Sequence, residues 1–207
     1  MKTSKLSIFA IALFSTFMIA CGGGETAVVE EVVEQVVSEE MTLNVDPAAS
    51  EVVWKGKMLG IKEHFGHVAL TTGSVTVQDN MVKGGSFTID MKTISPEDEN
   101  FDKKQTPTML IGHLSSPDFF AVDSFPTANF VINGVEGNKA MGTLTVRGIT
   151  NDATVENISV TETEGTVTVK GNLAFDRKKY NVSWSNPMKE AVLSDNIEID
   201  VTLVAKK

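Results

Sequence analysis

The sequence predicts an all-β fold of about eight antiparallel strands closed into a barrel, and three observations predict it. Apolar and polar residues alternate with period two over most of the chain from Met41 onward. Short turn signals separate the alternating runs. One stretch, Ser95 to Ser116, breaks the rhythm for long enough to hold helices. Alternating strands bury one face and wet the other. An antiparallel sheet of this kind hides its apolar face and its edges by closing or by gaining a second sheet.

The first forty residues lie outside that pattern. Met1 to Lys5 carries two lysines and no acid, and Leu6 to Ala20 is an apolar run ending in a small residue. This is the layout of a signal peptide over 1–20. The run is short of the ~20 apolar residues of a membrane span. Met18-Ile19-Ala20-Cys21 resembles a bacterial lipobox, whose cysteine is acylated and becomes the new N-terminus. Cys21 is the sole cysteine of the chain, so lipid attachment is expected there and an intrachain disulfide is excluded. Two or more acyl chains make a stable membrane anchor. The expected location is therefore outside the cytoplasm, in the bacterial periplasm or on the outer membrane as a lipoprotein.

Gly22 to Gly24 is a flexible break. Glu25 to Glu40 holds six glutamates and no Lys or Arg, with valine pairs four residues apart. It reads either as a solvated acidic tether or as a short amphipathic helix. The organisation is then 1–20 signal peptide, 21–40 lipidated acidic tether and 41–207 barrel domain. Losing Lys2 and Lys5 with the leader takes the formal charge from -9 to -11. Nucleic acid, which wants a basic stripe, is excluded as a partner.

Strands are expected at 41–46, 50–59, 65–78, 81–94, 127–134, 139–148, 152–176 (two strands) and 195–206, the first of them counting separately only if it pairs separately. Phe87, Ile89 and Met91 share one face. So do Val167, Val169, Gly171, Leu173 and Phe175, and Ile197, Ile199, Val201 and Leu203. Asp79-Asn80, Asn133-Gly134 through Gly137-Asn138, and Glu164-Gly165 supply turns. Ser95 reads as an N-cap with Pro96 at the first helical position and acids behind it, so 96–122 is expected to form short helices across one end. Lys178 to Ser194 is expected to cross the other side or form a lid. Eight strands enclose an interior that side chains can fill or that can hold one ligand.

Several segments then carry a resemblance: Val53-Trp54-Lys55-Gly56-Lys57, His64-Phe65-Gly66-His67, Gly84-Gly85-Ser86-Phe87, Gly112-His113-Leu114 through Asp118-Phe119-Phe120, Phe125-Pro126-Thr127-Ala128, Leu144-Thr145-Val146-Arg147-Gly148 and Phe175-Asp176-Arg177. In this order they resemble the YceI-like family of lipid- and polyisoprenoid-binding proteins, over roughly 43–206. The resemblance implies an eight-stranded antiparallel lipocalin-like barrel, often a homodimer, that holds a long isoprenoid chain such as a polyprenyl phosphate or quinone tail. The lipobox and acidic tether depart from the commonest soluble members.

The residues supply candidates for such a site. Val75, Val77, Phe87, Ile89 and Met91 in the first half of the domain, and Leu144, Val146, Leu173, Phe175, Ile199 and Val201 in the second, either line a cavity or simply pack the core. Arg147 and Arg177, the two arginines, either meet a head group or pair with a nearby acid such as Asp152 or Asp176. His64 and His67 fall on opposite strand faces, so no metal site is expected from them with His113, which reads as a hydrogen-bonding residue near the helix–strand junction. No enzyme motif is present and no cofactor beyond a bound isoprenoid-type lipid is expected. The expected function is binding or carrying a long apolar lipid, polyisoprenoid or quinone-like, in the envelope; the alternative is a tethered interaction barrel without ligand.

Overall fold

The structure, a computed structural model, describes residues 38–60, 62–185 and 192–207. The predicted signal peptide, Cys21 and all but the last three residues of the tether lie outside the described residues. Nine strands form among the described residues: β1 (Met41–Asn44), β2 (Glu51–Met58), β3 (Lys62–Gln78), β4 (Met81–Pro96), β5 (Thr127–Glu136), β6 (Lys139–Val146), β7 (Ile149–Glu162), β8 (Thr166–Asp176) and β9 (Leu193–Lys206). Their order is β1-β3-β2-β9-β8-β7-β6-β5-β4, with β3 pairing β4 to close the ring.

The ring has eight positions because β1 and β2 share one. Met41 pairs Val77 and Asn44 pairs Ser74, while Val53 pairs His67 on the same edge of β3. On the other side Val45 bridges Ala205 just beyond the pairing of Glu51 with Thr202. Both strands run collinearly between β3 and β9, interrupted at 46–50, so β1 adds length rather than a ninth position. Closure gives each barrel position two neighbours and leaves no free edge.

Two-residue hairpins set the register on both ends. Asp79 and Asn80 (φ 52° and 56°) sit between paired Gln78 and Met81, and Arg147 and Gly148 (φ 51° and 72°) between Val146 and Ile149. Two successive positive φ values give the turn whose twist matches the strands. Gly137-Asn138 turns β5 into β6, but Asn133-Gly134 is no turn: the register shifts between Ile132 and Gly134, a bulge within β5.

The predicted helical segment needs correction. Ser95 and Pro96 finish β4, paired with His67 and Gly66. Gly66 permits this, because a Cβ there would lie 1.9 Å from the Ser95 carbonyl oxygen. The same cap chemistry operates eleven residues later, where Thr106 accepts from Met109 N and Pro107 opens α1 (Pro107–Ser115), satisfying an orphan N–H of the first turn.

The strand directions bring the strand ends joined by the two long connections, Pro96 with Thr127 and Asp176 with Leu193, to the same end of the barrel, not to opposite ends. The second begins with a 3-10 turn, Arg177–Tyr180. The far end has short hairpins and a floor of small packed side chains: Val45, Val75, Val77, Val82, Val167 and Ala205 are all nearly or fully buried. Around the waist, Phe130 packs against Gly142, where a Cβ would sit 2.2 Å from the Val131 carbonyl oxygen and 2.7 Å from the Phe130 ring. Forced overpacking costs ~1–3 kcal/mol, so Gly142→Val is expected to lower the urea-unfolding free energy by at least that amount. Wild-type stability in that variant would contradict the close approach of β5 and β6.

Candidate functional site

Above the floor the inward side chains leave a cavity of about 470 Å³, within the ~300–1,000 Å³ range of small-molecule pockets. Its wall is almost wholly apolar. Val75, Phe87, Ile89, Met91, Leu144 and Val146 stand on it, as do Leu173, Phe175, Ile199 and Val201. Val77 does not: it packs in the floor, fully buried. The sequence reading passed over Trp54, Val68, Leu114 and Phe130 on the same wall, and Phe101 and Trp184 near its opening. The alternation of Val52, Trp54 and Gly56 was the available signal for Trp54.

The opening lies among Met58, Lys62 and His64 on β2 and β3, Phe101, Gln105 and Thr106 before α1, Met109 within it, and Trp184 and Leu193. The rest of that end is roofed by Phe119, Phe120, Tyr180 and Val182, all buried. The rim is tied down by polar contacts. Glu97 N donates to Phe65 O, and Asn100 Nδ2 donates to Glu63 O at 2.8 Å. The Lys62 ammonium bonds Gln105 Oε1.

Both arginines stitch the roof, and neither lines the cavity. Arg177 is 2% exposed; its guanidinium donates to the carbonyls of Ser194 (3.0 Å), Val182 (2.7 Å) and Trp184 (2.9 Å), with Asp195 at 3.4 Å. Arg147 donates to Phe119 O at 2.5 Å and Asn181 O at 2.8 Å, joining the two long connections. Arg177 does pair with a nearby acid, Asp195 rather than Asp152 or Asp176, whereas Arg147 bonds backbone carbonyls. Backbone carbonyls in irregular chain need donors, and a five-donor fork supplies several at once.

The three histidines have three different surroundings. His64 lines the cavity mouth and donates from Nδ1 to both carboxylate oxygens of Asp98 at 3.0 Å, while its ring stacks on Phe101 at 4.8 Å. Asp98 is almost fully enclosed and also accepts from Phe65 N and Asn100 N. His67 lies near the surface with Glu51 Oε1 2.7 Å from Nε2 and Glu97 Oε1 2.7 Å from Nδ1, the latter without hydrogen-bond alignment. His113 packs edge-on against Phe119 and Trp184, and its buried Nε2 has no partner among the described residues, contrary to the hydrogen-bonding role expected of it. Among the described residues no three His, Cys, Asp or Glu are placed to hold a metal ion.

A YceI-like domain is recognised over residues 43–205. The chain belongs to the YceI-like family. Among solved structures, BcnA of Burkholderia cenocepacia superposes with a TM-score of 0.61 at 25% identity, over 78% of this chain and 99% of that one. A polyisoprenoid binding domain from Saccharophagus degradans, implicated in plant cell wall breakdown, shares the fold with a TM-score of 0.52 at 11% identity, over 79% of this chain and 97% of that one. A UPF0312 protein of Staphylococcus aureus strain USA300 is 32% identical over 37% of this chain and 48% of its own length. The chain thus spans about half the length of the curated relatives it matches. Within this YceI-like barrel the acids after Pro96 face histidines: Asp98 holds His64, and Glu97 flanks His67.

Two measurements probe these surroundings. Arg177→Met leaves three carbonyls in the roof without their donor; each bond to a charged group is worth ~1.5–3 kcal/mol, so a loss above ~3 kcal/mol in urea unfolding is expected, and a loss below ~1 kcal/mol would contradict the stitching role. The histidines set opposite pH trends. Burial opposes charge on His67, but Glu51 and Glu97 outweigh it and hold the imidazole above its ordinary 6.5. Its contribution to stability is complete below that value and fades as pH rises through its folded-state value. Burial pushes His113 below 6.5, with Asp118 opposing; its contribution is complete above 6.5 and fades as pH falls through its folded-state value. Unfolding between about pH 5 and 8 is expected to lose its alkaline decline in His67→Gln and its acid decline in His113→Phe. Unchanged profiles would contradict both environments.

Proposed function

We propose that this YceI-like domain binds a long apolar lipid chain, polyisoprenoid or quinone-like, inside the barrel, and does so in the bacterial cell envelope. One observation carries the reading: an apolar cavity of about 470 Å³ with a packed floor and a single-ended opening. An isoprenoid tail exposed to water gains ~25 cal/mol for each Å² of apolar surface it hides, and this wall offers it Trp, Phe, Leu, Ile and Val instead of water. The tethered barrel without ligand leaves that space unexplained, since a filled interior packs to the density of an organic crystal. The Saccharophagus degradans polyisoprenoid binding domain shares this fold, which supports the reading. Cavity, floor and mouth each come from one chain, so the proposal does not need the homodimer that the family resemblance implies.

The envelope location rests on the leader and on Cys21. Ser38 lies at the floor end of the barrel, where its Oγ donates to Asp79 at 2.5 Å.

Native mass spectrometry of protein purified from a bacterial host is expected to show a co-purified apolar lipid in the wild type and none in Ile199→Trp, a variant that fills the cavity from a half-buried wall position. Lipid retained in a folded Ile199→Trp, or a wild type always empty, contradicts the cavity as binding site. Metabolic labelling with a radioactive fatty acid is expected to mark the full-length wild type and not Cys21→Ala; equal labelling would exclude Cys21 as the anchor.

A further inference from the structure

The exposed apolar side chains of the domain are unevenly spread. Single ones are ordinary on any protein surface. Here the three most exposed large ones among the described residues, Met109 (59%), Leu59 (54%) and Val192 (54%), all stand at the mouth. The next in rank, Met81 and Val131, are 44% exposed and lie beside the floor-end turn and on the outer wall. Leu59 N donates to Val192 O at 2.8 Å, so these two residues are neighbours, just past the pairing of Met58 with Leu193. Met109 lines the opening itself, from the first turn of α1. The turns at the floor end are polar by contrast: Asp79-Asn80, Gly137-Asn138 and Glu164-Gly165.

The charge on the rim complements this apolar surface. Lys103 and Lys104 are exposed and lie between Phe101 and Gln105, both of which line the opening. Lys62 faces them from the start of β3 and bonds Gln105. None of the three forms an ion pair with a described carboxylate. The acids nearby are mostly engaged: Glu63 with Lys57, Glu97 with His67, Asp98 with His64 and two backbone N–H groups, and Asp102 with Lys104 N and Gln105 N. Glu99 alone leaves its carboxylate unengaged among the described residues. The formal charge of the whole chain is -9, but salt screens charges more than about 8 Å away at physiological ionic strength, so the groups at the contact decide.

An apolar rim with ammonium groups beside it matches a bilayer whose surface carries anionic head groups. The acyl boundary receives the apolar side chains, and each lysine near such a surface gains from its negative potential. Continuity with the cavity gives the contact a use. A long tail crossing water exposes its whole apolar surface, whereas a mouth seated in the interface passes it from acyl chains to the barrel wall without that exposure. We propose that the mouth rim is a membrane-docking surface: Leu59, Met109 and Val192 enter the interface of an anionic bilayer, and Lys103 and Lys104 meet its phosphates. The use of this surface rests on the cavity reading above; its test does not.

The test takes the full-length protein with Cys21→Ala, which removes the acyl anchor and leaves an introduced cysteine as the sole site for an environment-sensitive nitrobenzoxadiazole dye. Dye on Met109→Cys is expected to shift to the blue when phosphatidylcholine–phosphatidylglycerol vesicles are added, and dye on Met81→Cys at the floor end to keep its aqueous emission. Adding Leu59→Asp and Val192→Asp is expected to raise the lipid concentration for half the shift about tenfold or more. Lys103→Gln and Lys104→Gln are each expected to raise it about fivefold, a difference that pure phosphatidylcholine vesicles abolish. All four positions are exposed, and urea transitions confirm that each variant is folded. A shift at neither dye, an equal shift at both, or one undiminished by Leu59→Asp and Val192→Asp overturns the docking rim. A rim that serves a protein partner gives the first of these outcomes, because the vesicles hold no protein. Docking by a protein that never carries lipid contradicts the cavity reading alone, and co-purified lipid without docking contradicts this proposal alone.

Discussion

The structure depends on one constraint: a sheet that hydrogen-bonds into a ring of eight must contain whatever its inward side chains do not fill. Pairing of β3 with β4 closes the ring. The inward residues then decide the interior level by level. At the floor, Val45, Val75, Val77, Val82, Val167 and Ala205 are short and meet across the axis. Above them the wall residues are larger, and space remains between them. A closed wall, a packed floor and open middle levels together make a vessel, which no single strand encodes.

The direction of that vessel follows from where the chain spends its long connections. Five of the seven connections between barrel positions are tight or nearly so, and the two long ones emerge at the same end. They need donors for their irregular backbone, and Arg147 and Arg177 provide them from beneath. The roof is therefore rigid over part of the end, while the segment around Phe101 and the start of β3 form the mouth, itself pinned through Asp98 and Asn100. The two buried charged residues among those described, Asp98 at the mouth and Arg177 in the roof, both lie at this end.

Strand pattern was legible wherever one face is wet and the other dry, which is why Phe87, Ile89 and Met91, or Leu173 and Phe175, could be placed on one face from alternation alone. Trp54 was legible in the same way and was passed over; Phe130 was masked by Val131, an apolar residue that is exposed on the outer face. The cap signature was read at Ser95-Pro96 and used at Thr106-Pro107, because local chemistry is identical at both and the decision belongs to Gly66, thirty residues away. The arginines were read for what their charge could attract, whereas both lie beside loop carbonyls and donate to them, Arg177 from a buried position. The His64–Asp98 pair was beyond reach: its members touch only once β3 and β4 are in register, and register bulges between His67 and Ala69 are not visible in composition.

The central claim is that the barrel's interior is ligand space rather than imperfect packing. A crystal structure of the protein purified from its native host, without detergent extraction, tests it most directly. The account predicts continuous, chain-like density running from above Val75 past Trp54, Phe130 and Ile199 to the mouth beside His64. An interior collapsed onto its own side chains, or holding isolated waters and no chain, would contradict it.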